Sequence, residues 1–170
     1  MRRVRYAVAS SLDGFIAGPN GEADWIVHNP EIDFAGLFSQ FDTALIGRKT
    51  FDFMAKAGRT SMPGIKVFVF SRTLDQKQYP EVTVVAKNAK ATVTKLRGET
   101  GKDIWLFGGG ELFSSLAVEG LVDTVELSVM PVLLGRGLSL ASTLPRQLSL
   151  TLTKHKLYKN GIVSLEYAIK

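Results

Sequence analysis

Short apolar blocks and polar blocks alternate along the first two thirds of the chain, and their spacing predicts strands and helices in turn. Apolar runs that end at glycine or serine are typical of buried strands. The predicted strands are Val4 to Ser11, Thr43 to Ile46, Lys66 to Phe70, Val82 to Val85 and Ile104 to Phe107. The predicted helices between them are Arg48 to Ala57, Ala89 to Arg97 and Glu111 to Glu119. This alternation up to about residue 120 predicts a mainly parallel α/β sheet with flanking helices.

Strands dominate the rest of the chain. Thr124 to Met130 alternates as a strand does, and Leu148 to Tyr158 and Ile162 to Ile169 lie on either side of Asn160-Gly161. Asn-Gly between two apolar segments is a strong signal for a hairpin. We therefore expect antiparallel strands at the C-terminal end of the sheet.

Two segments near the N-terminus have weaker patterns. Leu12 to Trp25 contains several glycines and a proline and predicts a long loop; loops of this length are usually functional or disordered. Pro30 followed by Glu31 predicts the start of a helix, because proline is favoured in the first turn. Ile32, Ala35 and Phe38 would form its apolar face.

The overall composition indicates an ordinary globular protein. The chain has 170 residues, of which 45% are hydrophobic and 22% charged, which fits one domain over 1–170. No apolar run reaches the ~18 residues of a membrane helix, and the basic N-terminus is not followed by the apolar core of a signal peptide. We therefore expect a cytoplasmic protein without membrane contact. The chain has no cysteine and only two histidines, so no metal-ligand set is visible.

The charge pattern argues against nucleic-acid binding. The net charge is +5, but the basic residues are dispersed and do not interleave with aromatic residues, as a nucleic-acid platform would require. No Lys or Arg lies between Tyr6 and Gly47. One part of the protein is therefore poor in positive charge, and the basic excess that begins at Arg48 would suit a small polyanionic ligand.

Three predicted strands end in residues that suit a phosphate. One is followed by Gly47-Arg48-Lys49-Thr50, one by Ser71-Arg72, and one by Gly108-Gly109-Gly110. Glycines let a ligand approach the main chain, and a helix that starts there directs its unpaired N–H groups at the gap. Arginine offers a planar fork for phosphate oxygens. Separately, each could be a tight turn or a solvated helix start; together they predict a site for a phosphorylated dinucleotide, because the carboxyl ends of parallel strands share one edge.

The order of these motifs resembles the dihydrofolate reductase superfamily. The chain is most similar to the branch that contains the reductase domain of the riboflavin-pathway deaminase-reductase. The similar segments are Ser11 to Ala17, Ala44 to Phe51, Phe68 to Arg72, Leu106 to Leu112, Leu121 to Asp123 and Pro131 to Gly137. The resemblance spans nearly the whole chain and implies a dihydrofolate reductase-like fold, with a mostly parallel central sheet, antiparallel C-terminal strands and flanking helices.

The resemblance also implies bound NADPH and hydride transfer. The residues that match cofactor-binding positions are Ala9, Ile16, Gly47, Arg48, Lys49, Thr50, Ser71, Arg72, Phe107, Gly108, Gly109, Gly110, Glu111 and Leu112. Gly47 to Thr50 and Gly108 to Leu112 match the pyrophosphate-binding segments. Arg48, Ser71 and Arg72 match residues that meet the adenosine 2′-phosphate. Ala9, Ile16 and Phe107 match positions beside the nicotinamide, and residues 14–25 match a mobile loop that closes over it.

On the substrate side, the chain departs from these relatives. Glu31, or alternatively Asp33, falls where dihydrofolate reductase has an acidic residue that could orient a ring or relay a proton; either could instead be a helix N-terminal acid favoured by the dipole. Ile65 stands where the folate-binding arginine would be expected. The absence of Lys and Arg from Tyr6 to Gly47 disfavours a substrate with a ribose phosphate.

The sequence therefore predicts an NADPH-dependent oxidoreductase that acts on a small heterocycle, pterin- or pyrimidine-like, or on a carbonyl or imine. The alternative is a non-catalytic protein that binds NADPH or another nucleotide on the same scaffold. Dimers are frequent in this branch, so the resemblance also implies a homodimer, which the C-terminal strands could form.

Overall fold

A twisted sheet of eight strands forms the centre of the computed structural model, which describes all residues from Met1 to Lys170. The strands are β1 (Val4–Ser11), β2 (Phe15–Ala17), β3 (Phe41–Gly47), β4 (Lys66–Phe70), β5 (Thr83–Val85), β6 (Asp103–Gly108), β7 (Thr124–Met130), β8 (Leu138–Ser139), β9 (Leu150–Leu157) and β10 (Val163–Ile169). The helices are α1 (Phe34–Phe38), α2 (Arg48–Lys56), α3 (Ala89–Gly98) and α4 (Gly110–Val118), with a 3₁₀ turn at Gln76–Gln78.

The large sheet has the order β5-β4-β3-β6-β1-β7-β10-β9, and β2 pairs with β8 in a separate two-stranded ribbon. All neighbours from β5 to β7 are parallel, whereas β10 is antiparallel to both β7 and β9. A mostly parallel sheet with antiparallel C-terminal strands is therefore confirmed. β1 is an inner strand, paired with β6 on one side and β7 on the other, and its residues Val4 to Tyr6 are buried, as is typical of parallel sheets.

The two faces of the sheet are packed by different helices. On one face, α3 and α4 cover Val4, Tyr6 and Leu106, and the ring of Tyr6 stacks on Phe113 at 4.2 Å between centroids. On the other, Phe51 of α2 packs on a smaller cluster from β3 and β4. Burying each such aliphatic or aromatic side chain contributes roughly 1.5–3 kcal/mol, so these two clusters hold β3, β6 and β1 side by side.

Ion pairs join the strands on the second face. The Arg5 guanidinium donates to both carboxylate oxygens of Glu126, at 2.6 and 2.7 Å, and to the side-chain oxygen of Gln40 at 2.7 Å. The side chain of Arg5 is only 7% exposed. Because a buried charge is tolerated only when it is paired, this pair fixes β1 against β7.

The predicted start of the first helix, at Pro30-Glu31, is wrong. The structure has a turn there, and α1 begins at Phe34, three residues later, with Asp33 as its N-cap: the Asp33 carboxylate accepts the Gly36 N–H at 2.8 Å. None of the five α1 residues is buried. An N-cap carboxylate satisfies a free N–H of the first turn, so the capping preference of Asp33 overrides proline as the start signal.

The short strands β2 and β8 were not predicted, and β2 lies inside the segment interpreted as a loop. Apart from α1, the bounds of the predicted strands and helices agree with the structure within two residues, and β1, β4 and β7 agree at both ends. No helix in the structure has both the length and the apolar character needed to cross a membrane.

Candidate functional site

Three adjacent strand ends form the candidate site. β4, β3 and β6 are consecutive neighbours in the sheet and run parallel. In this register, Gly47 lies beside Phe70 and Ile46 beside Gly108. The segments that follow the strands, which start at Ser71, Arg48 and Gly109, therefore leave from the same edge, where ligands of parallel sheets bind.

The gap between β3 and β6 is lined by glycine backbone. A Cβ on Gly47 would lie 3.4 Å from the Gly109 nitrogen and 3.5 Å from the Gly108 oxygen. A Cβ on Gly109 would lie 3.4 Å from Thr50 Oγ1 and 3.8 Å from Ile16 Cδ1. Gly108 has φ +139°, which residues with side chains rarely adopt. The structure thus brings Gly47, Thr50, Gly108, Gly109 and Ile16 together.

Gly110, the third glycine of the triplet, has a different environment. It is buried, and a Cβ on it would lie 2.3 Å from the Ser139 carbonyl oxygen and 2.9 Å from that of Leu140. The Ser142 N–H also donates to the Gly110 carbonyl. The missing side chain of Gly110 therefore lets the β8 segment pack against α4, and its role in ligand binding stays a prediction.

Two helices begin at this gap with free N–H groups. α2 has Gly47 as its N-cap and α4 has Gly109, and neither cap makes a side-chain hydrogen bond to its helix. First-turn N–H groups without a cap, together with the positive dipole end, favour an anion. Leu112 is buried within α4 and lies beside Gly47, so it contributes packing and main chain.

Basic and hydroxyl side chains surround the end of β4. Arg48 Nε donates to both Asp52 oxygens at 2.8 and 2.9 Å, and its Nη1 donates to Thr73 Oγ1 at 3.2 Å, which turns the guanidinium toward the segment after Ser71. Ser71 is buried, and its Oγ accepts the N–H groups of Thr73 and Leu74. Its hydroxyl proton remains for another acceptor.

Exposed charges complete the rim of the gap. Arg72 is exposed next to Ser71. Lys49 Nζ lies 2.7 Å from Glu111 Oε1, an exposed ion pair that joins the first turns of α2 and α4. Such exposed pairs contribute little to stability, so Lys49 can exchange Glu111 for a bound anion at little cost.

The predicted nicotinamide side is an opening between β1 and β6. Pairing of these strands ends at Tyr6 and Leu106, although β1 continues beside β7 up to Ser11. Ala9 lies on this continuation. Phe107 follows Leu106 and contacts the side chain of Trp105, whose Nε1 donates to the Ala7 oxygen at 2.9 Å. The backbone edge of β1 thus has no strand partner here, and Ile16 approaches from the Gly109 side.

The loop that carries Ile16 is tied down at its start. The carboxylate of Asp13 accepts the Ser11 hydroxyl at 2.6 Å and the N–H groups of Leu134 and Gly135 at 3.1 and 2.7 Å. The Ser11 hydroxyl, followed by these backbone donors, lowers the pKa of Asp13. β2 pairs with β8 just beyond. The loop is therefore anchored to the segment that also packs on Gly110.

The two predicted catalytic carboxylates are both exposed. Glu31 is exposed, and its N–H donates to the Asn29 side chain; Asp33 is exposed and caps α1. Nearby in the sequence, Trp25 and Ile32 pack against a small apolar cluster of Met130, Tyr158 and Ile162, and Ala9 packs against the same cluster. The role of Glu31 or Asp33 stays a prediction.

Sequence reasoning missed Asn29, Tyr158 and Asn160 on this side. Asn29 is buried and hydrogen-bonded to Asn160 at the tip of the β9–β10 hairpin. The Asn-Gly turn signal located the hairpin, but no local pattern indicates which segment its tip contacts. No group of three or more His, Asp or Glu residues is arranged as a metal site.

This fold with its glycine-lined gap defines the dihydrofolate reductase-like class. The structure of Enterococcus faecalis dihydrofolate reductase in complex with NADP(H) matches with a TM-score of 0.66 at 16% identity, over 98% of this chain and 94% of that one. The family is narrower: the chain belongs to the RibD C-terminal domain family, which matches residues 2–164. Both the resemblance and the fold class predicted from the sequence are therefore confirmed.

Individual relatives agree with this assignment. The Bacillus subtilis (strain 168) protein YyaP, itself uncharacterized, is 34% identical over 98% of this chain and 94% of its own length. A structure from Shewanella sp. PV-4, named for riboflavin biosynthesis, has a TM-score of 0.85 at 25% identity and covers 100% of this chain and 99% of that one. The deaminase/uracil reductase of Thermotoga maritima matches at TM-score 0.72 and 16% identity, over 99% of this chain and 57% of that one.

Proposed function

We propose that the protein is an NADPH-dependent reductase that transfers hydride to a small heterocycle, or to a carbonyl or imine. The observation that carries the proposal is the gap where α2 and α4 begin. Two uncapped helix N-termini meet there across Gly47 and Gly109, whose missing side chains leave the main chain accessible. Membership in a reductase-domain family and the NADP(H) complex of a structural neighbour support the same reading.

Each part of the gap suits one part of the cofactor. The first-turn N–H groups of α2 and α4 would hold the pyrophosphate, with Thr50 adding a hydroxyl. Arg48, Arg72 and the free hydroxyl proton of Ser71 would hold the 2′-phosphate, because charge-assisted hydrogen bonds are the strong ones. Ala9, Ile16 and Phe107 would lie beside the nicotinamide, which supplies the hydride. The anchored loop before Ile16 would exclude water from that space.

A titration with both coenzymes tests the binding step. The purified protein should bind NADPH more tightly than NADH, as measured by tryptophan and coenzyme fluorescence. Arg72→Ala should abolish most of this preference, whereas Arg146→Ala, which removes another exposed arginine, should leave it unchanged. Equal affinity for the two coenzymes, or no binding of either, would refute the proposed site.

Oxidation of NADPH tests the reaction step. A panel of pterins, pyrimidines, carbonyls and imines should contain a substrate whose turnover falls with Glu31→Gln or Asp33→Asn if a carboxyl relays the proton. The second candidate function is a protein that binds NADPH without turnover. The exposure of Glu31 and the capping role of Asp33 favour it, and tight NADPH binding with no oxidation over the whole panel would establish it.

We further propose that two chains associate through β9. This strand is the edge of the sheet, and three of its leucines are exposed: Leu150 by 42%, Leu152 by 48% and Leu157 by 72%. In the strand register they lie opposite Ile169, Tyr167 and Val163, so they extend one apolar face. Analytical ultracentrifugation should show a dimer that Leu157→Lys converts to a monomer; a monomeric wild-type protein would refute it.

A further inference from the structure

Asn29 is the only buried residue between Gly18 and Phe41. Its exposure is 3%, while every other residue from Pro19 to Gln40 is at least partly exposed. Burying a side-chain amide is unfavourable unless both its donor and its acceptor are satisfied. A single buried polar residue in a long exposed stretch therefore needs specific partners, and these partners show what the segment is fixed to.

Both ends of the Asn29 amide are used, and they join distant parts of the chain. Asn29 Nδ2 donates to Asn160 Oδ1 at 3.0 Å, and Asn29 Oδ1 accepts the Glu31 N–H at 2.8 Å. Asn160 Oδ1 also accepts the Ile162 N–H at 3.4 Å. The tip of the β9–β10 hairpin is thus hydrogen-bonded to the turn that precedes α1.

Little else fixes this turn. Its backbone hydrogen bonds are local, from Ile26 to Ala23 and from Ile32 to Asn29, and α1 contains no buried residue. Trp25 and Ile32 are only half-buried against the cluster of Met130, Tyr158 and Ile162, which Ala9 also contacts. We call the segment from Trp25 to Ile32 the substrate-side wall, since its two ends pack against the same cluster as Ala9.

We propose that Asn29 and Asn160 form a positioning pair that holds the substrate-side wall at a fixed distance from the nicotinamide. The pair contacts neither the glycine gap nor the phosphate side chains, so it acts on the placement of Trp25 and Ile32 and not on cofactor affinity. This inference rests on the proposed function, because that function places the nicotinamide beside Ala9. The hairpin tip thereby becomes part of the site although it follows Ala9 by about 150 residues.

The distance from Trp25 to bound NADPH provides a direct readout. The chain has two tryptophans, so Trp105→Phe leaves Trp25 as the only donor for energy transfer to the reduced nicotinamide. In that background, Asn29→Ala should lower the transfer efficiency while the NADPH Kd changes by less than about twofold, since the phosphate contacts are intact. For any substrate that the oxidation panel identifies, Asn29→Ala should also lower kcat.

Hydrogen exchange in the Trp105-containing protein gives a second readout, in case Trp105→Phe does not fold. Asn160→Ala should speed exchange in residues 25–32 by roughly three- to tenfold, the range expected for one lost hydrogen bond. Asn29→Ala should speed it by at least as much, because it also removes the bond from the Glu31 N–H. The double variant should show no increase in residues 25–32 beyond that of Asn29→Ala, because the bond from Asn160 to this segment is already lost there. Gln76→Ala is the matched control: its amide also holds a loop, through Tyr79, Val82 and Val84 far from the wall.

The outcomes separate the two proposals. If wild-type protein binds NADPH but Asn29→Ala changes exchange and energy transfer no more than Gln76→Ala does, the positioning pair is refuted and the cofactor site stands. Additive effects of Asn29→Ala and Asn160→Ala would also refute the pair. If wild-type protein does not bind NADPH at all, the proposed function fails, and with it the role of the wall in hydride transfer.

Discussion

Gly109 and Gly110 are adjacent glycines for which the structure predicts opposite effects of the same substitution. At Gly109 the backbone has φ −91°, which alanine adopts without strain. The added Cβ would lie 3.4 Å from Thr50 Oγ1, inside the gap that the first-turn N–H groups of the protein face. Gly109→Ala should therefore fold normally and lose cofactor, because a methyl group would hold a phosphate away from the first-turn N–H groups of α4.

The size of this loss follows from the bonds that are displaced. Two hydrogen bonds to a charged phosphate contribute together about 3 kcal/mol or more. Losing two thirds of that raises the Kd for NADPH by roughly thirtyfold. Calorimetric titration measures the Kd, and differential scanning calorimetry without coenzyme should give a Tm within about 2 °C of wild type.

Gly110→Ala should have the opposite effect: it should destabilise the free protein and not block the cofactor. Its Cβ would lie 2.3 Å from the Ser139 carbonyl oxygen, and the obstacle is backbone that cannot rotate away. Overpacking of this kind costs about 1–3 kcal/mol, or roughly 2–10 °C in Tm for a protein of this size. If Gly109→Ala instead destabilises the free protein and keeps its affinity, the gap is a packing feature and the reasoning is refuted.

Three further changes test other parts of the molecule. Thr50→Val should weaken NADPH binding by roughly two- to tenfold at unchanged Tm, since only a hydroxyl is lost; unchanged affinity would remove Thr50 from the site. Asp13→Ala should speed hydrogen exchange in β2. Because its bonds lower the pKa of Asp13, this anchoring is complete above the unfolded value of about 3.9 and disappears as the pH falls through the lower folded value, where variant and wild type should converge. Arg5→Met should lower the free energy of unfolding in urea by about 3–5 kcal/mol, because it leaves the Glu126 carboxylate, only 14% exposed, without its charge partner. Adding Glu126→Leu should recover most of this loss; no recovery would contradict a paired-charge origin.

Much of the central sheet was predictable because its strands are local apolar runs. Lys66–Phe70 is such a run, bounded on its C-terminal side by Ser71, and the structure has that strand with the same ends. The grouping of the three strand ends at one edge was also predictable, since strands separated by helices form parallel sheets whose carboxyl ends share an edge. Each of these elements buries its own apolar face, so its local pattern of apolar residues is enough to predict it.

The substrate side could not be predicted because long-range contacts decide it. The apolar residues Ile32, Ala35 and Phe38 have helical spacing, yet the helix is limited to five residues. The Asn29 side chain bonds the Glu31 N–H, and Asp33 caps the next turn. Likewise, the two residues of β8 form a strand only because Phe15 and Ala17 lie opposite them, and no periodicity can reveal so short a partner.

The position of β1 has a consequence for how the protein is made. Val4 pairs with Ile104, and Arg5 pairs with Thr124. β1 therefore leaves the ribosome about 100 residues before its neighbour β6 and about 120 residues before its neighbour β7. Until then its apolar residues have no sheet to join, and contacts so distant in sequence form slowly. C-terminal truncations that remove β7 should accordingly yield a chain that aggregates through Val4–Ser11 during translation.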